Sequence, residues 1–301
     1  MKTVGRSSKR IVIAAVVAGM LTVPVLTIPE AYADTRAPVR ISSDPRPLVI
    51  AHRGFSSDMP ENTIPAMIAA ASAGADMVEI DVQQTKDHAL VVVHDKTFAR
   101  TTDVAKVFPG RANDPISSFT LAEVRRLDAG SWKGTQFIGT PVPTLAELLR
   151  AIAPTPLKLL LELKNPRLYP GYEMRVAVVL AEHGLISRRR VYVHSFNASA
   201  LRQFHRAAPT VPIGLITKTG VGNVSRERWL QTVNPADRSI TDSSVDRAQV
   251  DHLAVFSWPG SPGQDSTGGI ARLVKDGVDG IITNHPDVAI RLVDQAHPAV
   301  E

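Results

Sequence analysis

Short aliphatic runs recur along this chain, and most are separated by enough residues for a helix. They fall at 48–51, 77–82, 90–93, 157–163, 191–194, 213–216, 253–258 and 280–283. Leu48-Val49-Ile50-Ala51 and Leu90-Val91-Val92-Val93 are apolar throughout, as strands buried on both faces must be. Such strands alternating with helical patterns build a parallel sheet with crossover helices. Eight of them predict an α/β fold, a closed (β/α)8 TIM barrel. One link breaks the rhythm, because residues 84–89 are too few for a helix and make only a turn. The longest interruption runs from His94 to a helix expected near Thr144. It carries Gly110, Asn113, Pro115, Gly130, Gly134 and Gly139, with one helical pattern at 121–127. We read it as a small insertion after strand 3, about residues 98–143, over the barrel mouth.

Each run ends in polar residues. The first ends in His52-Arg53, the third in His94, the fifth in His194-Ser195-Phe196, the seventh in Ser257-Trp258 and the last in Thr283-Asn284-His285-Pro286. Residues i and i+2 of a strand share a face, so Glu79 and Asp81 point one way, as do Glu162 and Lys164. Barrel active sites lie at the C-terminal strand ends, and a core has no other reason to gather charge there. Glu79, Asp81 and Glu162 form a set of hard oxygen donors suited to Ca²⁺, Mg²⁺ or Mn²⁺ rather than Zn²⁺; the plainer alternative pairs them with Arg53 and Lys164 and binds no metal. His52 and His94 flank this set as an acid–base pair. Arg53 and Lys164 suit phosphate oxygens. After Pro60, Glu61 is expected to support the site from behind, and Asn62 either to do the same or to touch substrate. Trp258 is expected to wall the pocket, with Phe196 a weaker candidate. His194 is expected to satisfy a local hydrogen bond, and His88 to be exposed.

In order along the chain stand His52-Arg53-Gly54, Pro60-Glu61-Asn62-Thr63, Glu79-x-Asp81, Thr85-Lys86-Asp87 and His94-Asp95. This series resembles the glycerophosphodiester phosphodiesterase family, and Leu127-Asp128-Ala129-Gly130-Ser131-Trp132 and Pro143-Thr144-Leu145-Ala146-Glu147 extend the likeness. The resemblance implies the short turn before the third strand. It implies cleavage of a glycerophosphodiester to sn-glycerol 3-phosphate and an alcohol, with one divalent cation, Ca²⁺ or Mg²⁺, on Glu79, Asp81 and Glu162. It also implies that one histidine activates the nucleophile and the other protonates the leaving alcohol. His52 is assigned as base and His94 as acid; the nucleophile is either the substrate's own glycerol hydroxyl or water. A phospholipase D-like enzyme acting on lysolipids or sphingolipids is the nearest rival, and a non-catalytic sugar-phosphate or cell-wall binding barrel a more distant one. Two departures stand out. Pro259-Gly260-Ser261-Pro262-Gly263-Gln264 replaces a small residue, valine and a polar residue after Trp258. Thr283-Asn284 stands where the family commonly has Thr-Asp, so one acid is lost near the mouth.

The N-terminus runs from basic (Lys2 to Arg10) through apolar (Ile11 to Ile28) to Ala31-Tyr32-Ala33, the pattern of a secretory signal peptide over 1–33 cleaved after Ala33. A flexible lead-in follows at 34–46, and the barrel domain occupies 47–301. A secreted or wall-associated location is therefore expected. The whole chain has a formal charge of +5, but removing Lys2, Arg6, Lys9, Arg10 and Glu30 leaves 30 basic residues against 28 acidic ones, a charge of +2. The mature protein thus does not read as a nucleic-acid binder, and its expected partner is a small glycerophosphodiester. With no cysteine, stability comes from the core and any bound cation.

Overall fold

The computed structural model describes residues 46–187, 190–221, 229–261 and 265–298. The expected leader and nearly all of the lead-in lie outside the described residues. Nine strands occur among them: β1 Leu48–Ala51, β2 Met77–Gln84, β3 Leu90–Val92, β4 Lys158–Leu163, β5 Val191–Ser195, β6 Ile213–Thr217, β7 Thr232–Pro235, β8 Ala254–Ser257 and β9 Gly280–Thr283. All but β3 pair in parallel around a ring, and β9 closes onto β1 through Leu48↔Gly280 to Ala51↔Thr283. This is the expected (β/α)8 barrel, but its eight strands are not the eight expected runs.

The run at 90–93 is not a barrel strand. It folds back antiparallel on β2, with Val82 opposite Val92, because the turn at 84–89 is too short for the crossover a parallel neighbour requires. The missing barrel strand is β7, Thr-Val-Asn-Pro, which pairs with β6 and β8. Its one aliphatic residue gives no apolar run, since its inward positions are polar.

Two faces alternate along each strand. The α-helices among the described residues are α1 Ile64–Ala73, α2 Val104–Val107, α3 Leu121–Val124, α4 Leu145–Ile152, α5 Tyr172–Glu182, α6 Ala198–Ala207, α7 Asp242–Val250, α8 Thr267–Lys275 and α9 Pro286–Ala296; Val49, Val78, Ile80, Leu159, Leu161 and Val193 pack outward against several of them, including α1, α4, α5 and α9. Leu48, Ile50, Met77, Leu160, Tyr192, Phe256 and Ile282 fill the barrel interior. Two residues further along the same inward faces stand His52, Glu79, Glu162, His194, Trp258 and Asn284. One periodicity thus builds an apolar plug below and a polar layer at the C-terminal mouth.

Residues 95–143 gather a separate small core of Phe98, Val104, Ile116, Phe119, Val124 and Leu127 against Val91 and Val93. The segment meets the mouth through Arg100, bonded to Glu61, and Lys133, bonded to the carbonyls of Ser56 and Ser57. Among the described residues, no helix is long and apolar enough to cross a membrane.

Candidate active site

The turn after β1 is built for the site. Gly54 has φ +82°, and a Cβ there would sit 2.7 Å from Ala66 backbone and side-chain atoms, so only glycine fits. Arg53 and Asn62 adopt left-handed φ of 57° and 58°, which costs a non-glycine residue energy unless its surroundings enforce it. Here they do. The Arg53 amide donates to Glu79 Oε2 at 2.9 Å, and the Asn62 amide donates to the Arg53 carbonyl at 3.0 Å. Asn62 also clasps Asp81, donating from Nδ2 to Oδ2 at 2.8 Å and accepting from the Asp81 amide at 3.2 Å. Asn62 is therefore buried against Asp81 and is not among the residues that line the pocket.

The expected donors Glu79, Asp81 and Glu162 are all buried here but divide between two environments. Glu79, Glu162 and His194 offer donor atoms all within 4.8 Å of one another. Asp81 is salt-bridged instead, with Oδ1 3.2 Å from Lys164 Nζ and Oδ2 3.4 Å from Arg53 Nε. The electrostatics follow this division. Burial, with Asp81 nearby, pushes Glu79 up to about 8, and burial pushes Glu162 up to about 7 although Lys164 Nζ lies 2.8 Å from it. Burial would raise Asp81 as well, but Lys164 and Arg53 outweigh it and hold its carboxyl well below the usual range. Two carboxylates that resist ionising side by side fit a site completed by a cation.

His194 is the member not expected from sequence. Its Nδ1 lies 2.8 Å from Asn234 Nδ2, which is the expected local hydrogen bond, and Asn234 Oδ1 accepts from Thr232 Oγ1 at 2.8 Å. Gly214 makes room for this chain, since a Cβ there would lie 2.0 Å from Thr232 Oγ1. His194 Nε2 is buried with no hydrogen-bond partner. Glu79 Oε1 lies 3.8 Å from it, but burial lowers His194 to about 4, so the ring is neutral and this is no ion pair. With Asn234 Nδ2 donating to Nδ1, the ring proton sits on Nε2; with the Asn234 amide turned over to accept from Nδ1–H, Nε2 would face the two carboxylates with a lone pair, the chemistry of a metal ligand.

His52 and His94 line the same pocket of about 220 Å³, together with Arg53, Glu79, Glu162 and Lys164. Their surroundings differ. Burial, then the charge of Arg53, pushes His52 down to about 3, so it is neutral. Its Nδ1 lies 2.9 Å from Asn284 Oδ1, and Asn284 Nδ2 donates at 2.6 Å to Asp265. His94 Nδ1 lies 2.6 Å from Asp95 Oδ1. Asp95 accepts from Arg100 Nε at 2.7 Å, and Arg100 reaches Glu61 at 2.7 and 2.8 Å. Glu61 in turn pairs with Arg53 at 2.9 Å. The hydrogen bond from His94, then Arg100, holds the Asp95 carboxyl well below its ordinary value. Glu61 thus links Arg53 to Arg100. Trp258 forms one wall, with Nε1 donating to the Asn234 carbonyl at 3.1 Å and its ring edge-on to Phe196 at 5.8 Å. Of the loop after Trp258, residues 262–264 lie outside the described residues.

Sequence reasoning missed Arg100, Asp265, Asn234 and the inward role of His194. Asn234 sits in the strand that carries no apolar run. Arg100 and Asp265 come from loops, where no periodicity points to a partner.

A family model described as "Glycerophosphoryl diester phosphodiesterase family" matches residues 52–288. The chain is 36% identical over 250 residues to a glycerophosphodiester phosphodiesterase of Caldanaerobacter subterraneus subsp. tengcongensis, an overlap of 82% of this chain and 97% of that one. It is 29% identical over 265 residues to a glycerophosphodiester phosphodiesterase of Bacillus subtilis, covering 82% and 86% of the two chains. Among solved structures, an Oleispira antarctica phosphodiesterase in complex with the product sn-glycerol-3-phosphate superposes with a TM-score of 0.71 at 26% identity, covering 83% of this chain and 97% of that one.

Proposed function

Since this chain belongs to the glycerophosphoryl diester phosphodiesterase family and is a phosphoric diester hydrolase, we propose that it is an exported, cation-dependent enzyme. It would release sn-glycerol 3-phosphate and an alcohol from glycerophosphodiesters by acid–base catalysis with His52 and His94. The observation that carries this reading is one pocket lined by both histidines, by Arg53 and Lys164, and by the buried carboxylates Glu79 and Glu162. Arg53 and Lys164 hold the non-bridging phosphate oxygens and offset charge gathering there in the transition state. His52 Nε2 takes the proton of the attacking hydroxyl, from water or from the substrate's own glycerol, as that oxygen bonds to phosphorus. The phosphorus–oxygen bond to the alcohol breaks, and His94 gives a proton to the departing oxygen. Burial keeps His52 neutral before substrate arrives. The anionic phosphodiester then opposes the effect of Arg53 and supports the imidazolium form.

Glu79 and Glu162 would hold the divalent cation, with His194 Nε2 as a third donor and Asp81 beside them. When bound, the cation supplies Lewis-acid polarisation of the phosphoryl oxygens. The carboxylates suit Ca²⁺ or Mg²⁺. Export rests on the basic, apolar, Ala-Tyr-Ala pattern of residues 1–33; N-terminal sequencing of protein from the medium should begin at Asp34.

The test is release of glycerol 3-phosphate from glycerophosphocholine by the mature protein with Ca²⁺, Mg²⁺ or EDTA, beside His52→Ala. Cation-dependent release that is lost in the variant is expected. Release surviving both EDTA and the substitution would sink the mechanism.

A further inference from the structure

Asn284 stands where the family commonly has an acid, and a carboxylate from another loop lies behind it. Asp265 lies directly behind Asn284. Its Oδ2 accepts from the Asn284 side-chain Nδ2 at 2.6 Å and from the Asn284 backbone amide at 2.7 Å, and its Oδ1 accepts from Thr283 Oγ1 at 2.5 Å. An ionised carboxylate only accepts hydrogen bonds, so the amide nitrogen of Asn284 must face Asp265. Turning the amide over would set two oxygens against each other at that distance. The amide oxygen therefore faces His52 Nδ1 at 2.9 Å, and the Ser56 hydroxyl also meets it at 2.7 Å. A carbonyl oxygen cannot donate, so His52 Nδ1 must carry the proton. In the neutral ring that leaves a lone pair on Nε2, the form a general base needs.

We propose that Asp265 is a positioning residue that locks the tautomer of His52 through the Asn284 amide. This rests on the reading of His52 as base. Asp265 is not among the residues that line the pocket and has no hydrogen bond to His52; it acts by fixing which way an amide points. The arrangement also spares the ring a directly adjacent negative charge. The charge of Arg53 lowers His52 while Asp81 and Glu61 raise it, and Glu79, Glu162 and Lys164 line the same pocket; a carboxylate in place of Asn284 would add another negative charge.

The test is ¹⁵N NMR of histidine-labelled mature protein, with pH profiles of kcat and KM for glycerophosphocholine. Wild-type protein should show His52 as a single Nδ1–H tautomer, assigned by its loss in His52→Ala. Asp265→Asn removes the obligatory acceptor and should give a mixed tautomer signal, with kcat lower by about tenfold and KM nearly unchanged. If Asp265→Asn folds poorly, Asp265→Glu and the wild-type tautomer alone remain decisive. A wild-type ring protonated on Nε2, or an Asp265→Asn ring still wholly Nδ1–H, overturns the lock. A His52→Ala variant that still turns over substrate would overturn the base assignment instead, and the tautomer signals keep the two failures apart.

Discussion

Two histidines at this mouth lean on asparagines, and the group behind each asparagine sets what the ring can do. His52 leans on Asn284, which leans on the Asp265 carboxylate. His194 leans on Asn234, which leans on the Thr232 hydroxyl. A carboxylate only accepts, whereas a hydroxyl donates or accepts. The first chain therefore has one direction. The second can run either way: Asn234 donates to Nδ1 and leaves the proton on Nε2, or it turns over, accepts from Nδ1–H and frees Nε2 as a lone pair for a cation. Fixed direction suits a base that must be ready before substrate arrives, and reversibility suits a ligand that must change partners.

The largest effects should come from removing the rings themselves. His52→Ala and His94→Ala should each lower kcat by about 10² to 10⁴, the span of general acid–base catalysis, in glycerol 3-phosphate release assays. A loss below tenfold would take that histidine out of the chemistry. Next in size is the reversible chain. His194→Leu should weaken cation binding by about 10- to 100-fold in calorimetric titrations. Asn234→Asp puts an acceptor-only group on Nδ1, fixes Nε2 as a lone pair, and should tighten binding. Equal affinities in the two variants would mean that His194 does not face the cation.

How much of this was legible in the sequence follows from where periodicity operates. Glu79, Asp81, Glu162, His52 and His94 stand on or just past aliphatic runs, and the two-residue period gave their common direction. The same reasoning misread the run at 90–93, because apolar content does not distinguish a barrel strand from a hairpin arm packed against a second small core. It overlooked β7, whose inward Thr232 and Asn234 serve the site rather than the core. Asp265, Arg100 and the division between Asp81 and the Glu79–Glu162 pair depend on side chains meeting across loops, which no local pattern encodes. The loss of an acid at Asn284 was visible in the sequence, and its replacement by Asp265 was not.

A smaller effect concerns pH. The folded-state values of Glu79 and Glu162, about 8 and about 7, lie above the 4.5 of an ordinary glutamate. Groups raised in this way favour the metal-free fold below 4.5, and that contribution is lost as pH rises through 7 and 8. A cation bound to the carboxylates removes the loss. The rise in Tm on adding Ca²⁺ or Mg²⁺ should therefore be several degrees larger at pH 8 than at pH 5. The lowered value of His52 acts in the opposite sense, with stability lost as pH falls from 6.5 towards 3, but it is common to both arms and cancels in the difference. A cation effect independent of pH would remove Glu79 and Glu162 from the cation site.

The smallest effect belongs to a carboxylate far from both relays. Glu147 closes a capping box at the start of α4, with Oε2 accepting from the Thr144 amide at 2.9 Å, and pairs with Arg125 of the side segment at 2.5 Å. The hydrogen bond from Arg125 is the main reason its carboxyl is pushed down to about 2. A depressed value means stability present above 4.5 and lost as pH falls through 2. Glu147→Gln keeps an acceptor for the cap but deletes the charge. Because such half-exposed pairs are screened by solvent, Tm at pH 7 should fall by only about 1–3 °C. The decrement should vanish near pH 2, while cation affinity and the His52 tautomer stay as in the wild type. A Glu147→Gln variant that disturbed either relay would mean that the side segment and the mouth are coupled through α4, and that the two histidine chains are not set by their immediate neighbours alone.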